Sequence, residues 1–203
     1  KTSEKIYFDN TLVSIAVFLF VSSLIWFCEC STAPFLVFVN RISAFAYNMI
    51  LPVIGMFYVF YCECRMSPEN EVQRSKKIIF MLPAILNSVM SLFSIFTGAY
   101  FKIEDGKYVR GELFTIPFFI LFAYLIHASI STFRTSKKQI NLTKRPEFLY
   151  LASFSILPLI GGIFQLCVYG FEILATSFVI SALIVYNESQ NRLISIDPLT
   201  ITN

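Results

Sequence analysis

The chain has 203 residues, of which 56% are hydrophobic, 17% aromatic and 14% charged, with a formal net charge of +3. Soluble domains carry about 25% charged residues, so this composition cannot cover a water-facing surface and points to lipid as the solvent. The cationic excess is too small for a nucleic-acid footprint and bears on orientation instead.

The first ten residues, KTSEKIYFDN, lack an apolar core followed by a small-residue cleavage site and do not read as a signal peptide. Because the chain opens on Lys1, a preceding segment, such as another membrane helix, is expected. Crossing about 30 Å of hydrocarbon takes about 20 apolar residues at 1.5 Å each. Such stretches run over residues 11–28, 42–62 with an earlier start near Pro34, 78–100, 113–133 and 148–171, and a shorter one over Ile173–Asn187. The last continues through Glu188, Arg192 and Asp197 and reads as a single helix leaving the membrane. Lipid offers backbone N–H and C=O groups no partner, so helices are expected throughout.

The third and fourth stretches are joined by residues 100–111, YFKIEDGKYVRG. Asp105-Gly106 between short alternating segments predicts a two-stranded hairpin with a tight turn, against the plainer reading of a solvated loop. Prolines fall inside four stretches, at Pro52, Pro83, Pro117 and Pro158, the last followed by Gly161 and Gly162. In lipid such breaks require neighbouring groups to satisfy the released carbonyls, which predicts a bent, tightly packed bundle.

The fold class expected is therefore all-α, a polytopic transmembrane helix bundle of six helices with a small extracytoplasmic β-hairpin. Residues 1–187 form the membrane domain, and 188–203 form a cytoplasmic signalling helix and the start of a further domain. Placing the N-terminal stretch inside gives twelve cations within: Lys1, Lys5, Arg65, Arg74, Lys76, Lys77, Arg134, Lys137, Lys138, Lys144, Arg145 and Arg192. Four remain outside, Arg41, Lys102, Lys107 and Arg110. This asymmetry in short loops orients the chain with its C-terminus in the cytoplasm.

Two Cys-Glu-Cys patterns, at Cys28 to Cys30 and Cys62 to Cys64, would suit zinc if they met. The bilayer separates them, so no metal site is expected, and Ser67-Pro68-Glu69 reads as the cap and first turn of a helix. Cys62 and Cys64 are also candidates for acylation. His127, the single histidine, shares a helix face with Tyr124 and Ser131 that must point into the bundle. It is read as a hydrogen-bonded interior group or, at lower weight, a ligand contact.

Sorted by depth, Asn40, Arg41, Tyr47, Asn48, Tyr100, Gln165 and Glu172 lie in the outer half, with Tyr108 and Arg110 above them and Asn87 near mid-depth. Polar groups gathered at one depth in a membrane mark either a ligand cavity or a mutually bonded network. The candidate ligand-binding residues are Asn40, Arg41, Tyr47, Asn48, Asn87, Tyr100, Tyr108, Arg110, Tyr124, His127 and Gln165. Arg41 and Arg110 favour an acidic group, and the many Phe and Tyr side chains favour a flat or apolar body. No catalytic constellation is visible, and these residues are not read as an enzyme.

After the exit helix comes Asp197-Pro198-Leu199-Thr200. It resembles the entry motif of GGDEF-family diguanylate cyclase domains, usually Asp-Pro-Leu-Thr-Gly-Leu followed by Asn and Arg; Ile201 and Thr202 depart from the Gly-Leu before Asn203. Residues 108–111 (YVRG), 157–165 (LPLIGGIFQ) and 186–190 look like parts of the multi-spanning sensor region ahead of many such bacterial cyclases. The resemblance implies a seven-helix, homodimeric receptor in the bacterial cytoplasmic membrane. An external small-molecule or lipid-like ligand would control a diguanylate cyclase that makes cyclic di-GMP from GTP with Mg. GTP and Mg would belong to that domain, and no cofactor is expected in the present residues. A histidine kinase output, or a small-molecule transporter or channel, remains the alternative.

Overall fold

The structure, a computed structural model, describes residues 3–67, 71–104, 106–138, 145–168 and 172–196. Its elements are α1 (Ser3–Cys28), α2 (Pro34–Met66), α3 (Arg74–Thr97), β1 (Phe101–Glu104), β2 (Lys107–Arg110), α4 (Ile116–Lys138), α5 (Arg145–Phe154), α6 (Ile156–Cys167) and α7 (Ile173–Ile196). Among the described residues α1, α2, α3, α4 and the stretch Pro146–Cys167 are long and apolar enough to cross a bilayer; the apolar part of α7, Ile173–Asn187, is shorter. Two compact units meet within α4, between His127 and Ala128.

The first unit is organised around α2. Along α1 the buried positions are Thr11, Ser14, Ile15, Phe18, Val21, Ser22, Ile25 and Cys28, spaced three and four apart, which lines one face. Small Ser14 and Ser22 on that face let the backbones approach. Tyr7 packs on Phe60, Phe8 on Tyr61 and Phe18 on Tyr47, so α1 runs antiparallel to α2. Helix α3 buries a narrower stripe, Ala84, Asn87, Ser91 and Ser94, and leaves most of its apolar side chains exposed.

Pro52 lies inside α2 and has no N–H to offer the carbonyl of Asn48 one turn earlier. Asn87 of α3 takes that place, its Nδ2 donating to Asn48 O at 2.8 Å. One turn on, Ser91 Oγ donates to Phe45 O at 3.0 Å. The carbonyls around Pro52 are thus tied to the neighbouring helix by the polar groups that α3 turns inward. Pro83 also lies inside a helix, and the Tyr124 hydroxyl of α4 donates to Phe80 O just before it. Pro117 is different: it stands at the second residue of α4, in the first turn, where no intrahelical donor is missed.

The chain leaves α3 through Gly98, left-handed at φ 71, whose N–H donates to Ser94 O. Ser94 Oγ then accepts from Tyr100 N and Phe101 N, fixing the reversal into β1. The predicted hairpin is present and antiparallel, with Phe101 opposite Arg110 and Glu104 opposite Lys107. Asp105 of its turn lies outside the described residues. Gly106 has φ 77, and a Cβ there would stand 2.1 Å from Ser31 O, so the tip seats directly on the backbone between α1 and α2.

In the second unit the predicted fifth span is two helices. Pro158 lacks a donor for the carbonyl of Phe154 and its ring crowds that carbonyl, so α5 stops there and α6 starts after Ser155. Ser129 Oγ on α4 donates to Ala152 O on α5, and Phe154 packs against Phe178 of α7. Helices α6 and α7 approach closely at Gly161, where a Cβ would lie 2.6 Å from Ser177 Oγ. One expectation is corrected. Ser67 ends α2, its N–H donating to Glu63 O and Cys64 O, and the next helix starts later, at Arg74. Pro68 and Glu69 lie outside the described residues.

Candidate functional site

The candidate residues separate into four places. At the hairpin end of α2, Asn40 is buried and its Nδ2 donates to Gly106 O at 3.2 Å, which holds the hairpin tip down. Its Oδ1 has no hydrogen-bond partner among the described residues. Arg41, the next residue, points into a cleft of about 290 Å³ bounded by the end of α3 and by β1, with Phe96, Gly98, Phe101, Lys102 and Glu104 among its walls. Tyr100 is buried with Ala44 and Phe101 in the small core beneath the hairpin. Tyr108 stacks on Phe101 with ring centroids 6.3 Å apart, and the Arg110 guanidinium lies 4.8 Å from the Phe114 ring.

The second place is the gap that Pro52 leaves in the hydrogen-bond ladder of α2. Asn48 and Asn87 meet there through the bond from Asn87 Nδ2 to Asn48 O, while Asn48 Nδ2 donates to Ala44 O. Tyr47 packs on Phe18. These groups bind helices to one another.

The third is at the opposite end of α2, about 35 Å from Asn40 along the axis at 1.5 Å per residue. Glu63, with its side chain 9% exposed, pairs with Lys76 of α3 through Oε2 and faces His127 Nε2 of α4 through Oε1 at 3.4 Å. Phe80 packs against the imidazole with centroids 4.9 Å apart. Arg65 pairs with Glu4 of α1. One carboxylate therefore joins three helices, and an adjacent pair brings in the fourth.

The sequence reading brought His127 forward and overlooked Glu63 and Lys76, because Glu63 sits inside a Cys-Glu-Cys repeat just past the expected end of the span. An acidic residue beside Arg65 at the end of an apolar run, ahead of the cations Arg74, Lys76 and Lys77, was the available signal. Cys28 ends α1 at the hairpin end, whereas Cys62 and Cys64 lie buried beside Glu63.

Burial decides what this cluster contributes. Lys76 and His127 are 48% and 42% exposed in their side chains, so water can serve them if Glu63 is neutralised; the buried carboxylate has no such recourse. Lys76→Met is expected to destabilise the protein more than Glu63→Gln, by about 1–2 kcal/mol. The double variant should return close to Glu63→Gln alone, a cycle readable by equilibrium unfolding in mixed detergent. Equal losses from the two single changes would contradict this assignment of the charge.

The fourth place, in the second unit, is Gln165. Its Nε2 donates to Glu172 Oε2 at 3.1 Å and its Oε1 accepts from Leu174 N at 3.0 Å, which pins the start of α7 to α6.

Among the described residues no three His, Cys, Asp or Glu side chains gather as a metal-binding group. The arrangement offers charge pairing, helix cross-links and a small cleft. Comparison with protein-family models, with curated proteins and with solved structures finds no match to this chain.

Proposed function

We propose that this chain is a ligand-sensing transmembrane receptor domain that binds a small molecule on its hairpin side, outside the cell. The domain controls a cytoplasmic diguanylate cyclase, which joins two GTP molecules into cyclic di-GMP. The observation that carries the reading is the pairing of an open cleft with a continuous exit helix. Arg41 and Lys102 line the cleft, and neither side chain makes a hydrogen bond or ion pair among the described residues. Helix α7 runs without a break past the end of its apolar stretch at Asn187 to Ile196, directly ahead of the cyclase-like Asp197-Pro198-Leu199-Thr200.

The cation asymmetry of the sequence favours a hairpin outside and a tail in the cytoplasm. Leu183 and Tyr186 stand exposed on α7, where a second copy of the chain could meet them. Ligand binding acts only if it favours one arrangement of the bundle over another, and the helix phase at the membrane exit is the simplest coordinate for that difference.

The test is a phase change. Inserting one residue after Asn187 in the intact receptor rotates everything beyond it by about 100°, whereas seven residues restore the phase. Cellular cyclic di-GMP should change several-fold with the single insertion and return with the seven-residue insertion. A reading frame that continues into no output domain, or an output indifferent to phase, would sink the proposal. Phosphorylated output would indicate a histidine kinase, and uptake of substrate into vesicles by the chain alone would indicate a transporter.

A further inference from the structure

We infer that the cleft between α2, the end of α3 and β1 holds the anionic head of an amphiphile whose apolar tail lies along the exposed face of α3. The inference rests on the receptor reading and names the chemistry of its ligand.

Charge comes first. Arg41 from α2 and Lys102 from β1 are both exposed at the cleft and unpaired among the described residues. Glu104 also borders it, but Lys107 stands directly across the hairpin and offsets that carboxylate at cross-strand distance. The end of α3 adds a partial negative charge of about half a unit, which two full cations outweigh. An anionic group is therefore favoured over a cationic one.

Size comes second. A volume of about 290 Å³ is at the lower limit for a drug-sized ligand, so it accommodates a head group and little more. Any larger body must continue outside, and the surface it meets is specific. Phe96, at the rim, is 83% exposed, and Phe93, Val89, Ile85, Leu82 and Ile78 continue from it as exposed apolar residues three or four apart. That spacing makes one stripe along the helix. A polar anion would leave the stripe unused, and an apolar molecule would leave the cations unused. An acyl chain with a carboxylate or phosphate uses both.

The experiment uses the purified 203-residue chain in phosphatidylcholine nanodiscs, with radiolabelled dodecanoate counted above empty discs. Saturable binding is expected. It should weaken at least tenfold in Arg41→Gln/Lys102→Gln and remain within twofold of wild type in Glu112→Gln, a change of an exposed charge outside the cleft. Dodecyltrimethylammonium, with the same tail and opposite charge, should not compete, and acetate should compete only at far higher concentration.

Replacing part of the lipid by phosphatidylglycerol distinguishes the source. Loss of dodecanoate binding assigns the site to a membrane lipid, and its persistence assigns it to a free amphiphile. Binding that is unsaturable, indifferent to the two cation changes, or matched by either competitor would overturn the inference. Binding that passes every arm while cyclic di-GMP output ignores dodecanoate would leave this site standing and remove the receptor reading alone.

Discussion

Gly106→Ala is expected to release the hairpin tip from the rest of the first unit, with tryptic cleavage after Lys102, Lys107 or Arg110 in intact proteoliposomes accelerating roughly a hundredfold. Two effects combine. At φ 77 an alanine pays the left-handed penalty of about 1–2 kcal/mol. Its Cβ would also stand 2.1 Å from Ser31 O, and because the obstacle is backbone, no rotamer relieves it. Lifting the tip breaks the bond from Asn40 Nδ2 to Gly106 O as well. A total of about 3 kcal/mol corresponds to a population ratio near a hundred. Gly106→Asn separates the terms, since Asn tolerates positive φ but carries the same Cβ; it should open the tip nearly as much. Because Tyr100 and Phe101 keep their own buried contacts, the midpoint of global unfolding should hardly move. Unchanged proteolysis in both variants would show that the tip is not seated on Ser31.

Asn87→Leu is the second large effect, expected to cost about 1–3 kcal/mol in reversible unfolding by SDS. The lost bond leaves the carbonyl of Asn48 without a donor in an apolar interior, because Pro52 cannot supply one. Part of the cost is returned, since Asn87 Oδ1 has no partner among the described residues and leaves with the amide. The decisive measurement is a rescue. Pro52→Ala restores a backbone N–H one turn from Asn48, so Asn87→Leu made in that background should be nearly neutral. A double variant no more stable than Asn87→Leu would disprove the link between the proline and the amide.

The helices and the hairpin were legible in the sequence because their causes are local. Apolar runs of membrane length predicted the spans, and a Gly after Asp105 between alternating residues predicted the turn, whose Gly106 has the positive φ that such turns need. The break of the fifth span was legible as a proline, although its place was not, because Pro158 acts on the residue four before it. Partners were the part that could not be read. Asn40 meets Gly106, Asn87 meets Asn48 and Glu63 meets His127 across 66, 39 and 64 positions of chain, and nothing local encodes such pairings. Asn48, Asn87 and Arg41 all entered the candidate list as polar residues of apolar stretches, yet the first two join α2 to α3 beside Pro52 while Arg41 faces a cleft. Whether a polar group is satisfied depends on the neighbouring helix.

The contact of Gly161 with Ser177 has a mechanical meaning. A helix resting in a notch one side chain deep resists sliding, because the larger residues that flank Ser177, such as Phe178, would have to ride over the gap. Tilting about that point requires far less rearrangement. A displacement of α7 about that contact would therefore swing the two ends of the helix in opposite directions, further at the end with the longer arm.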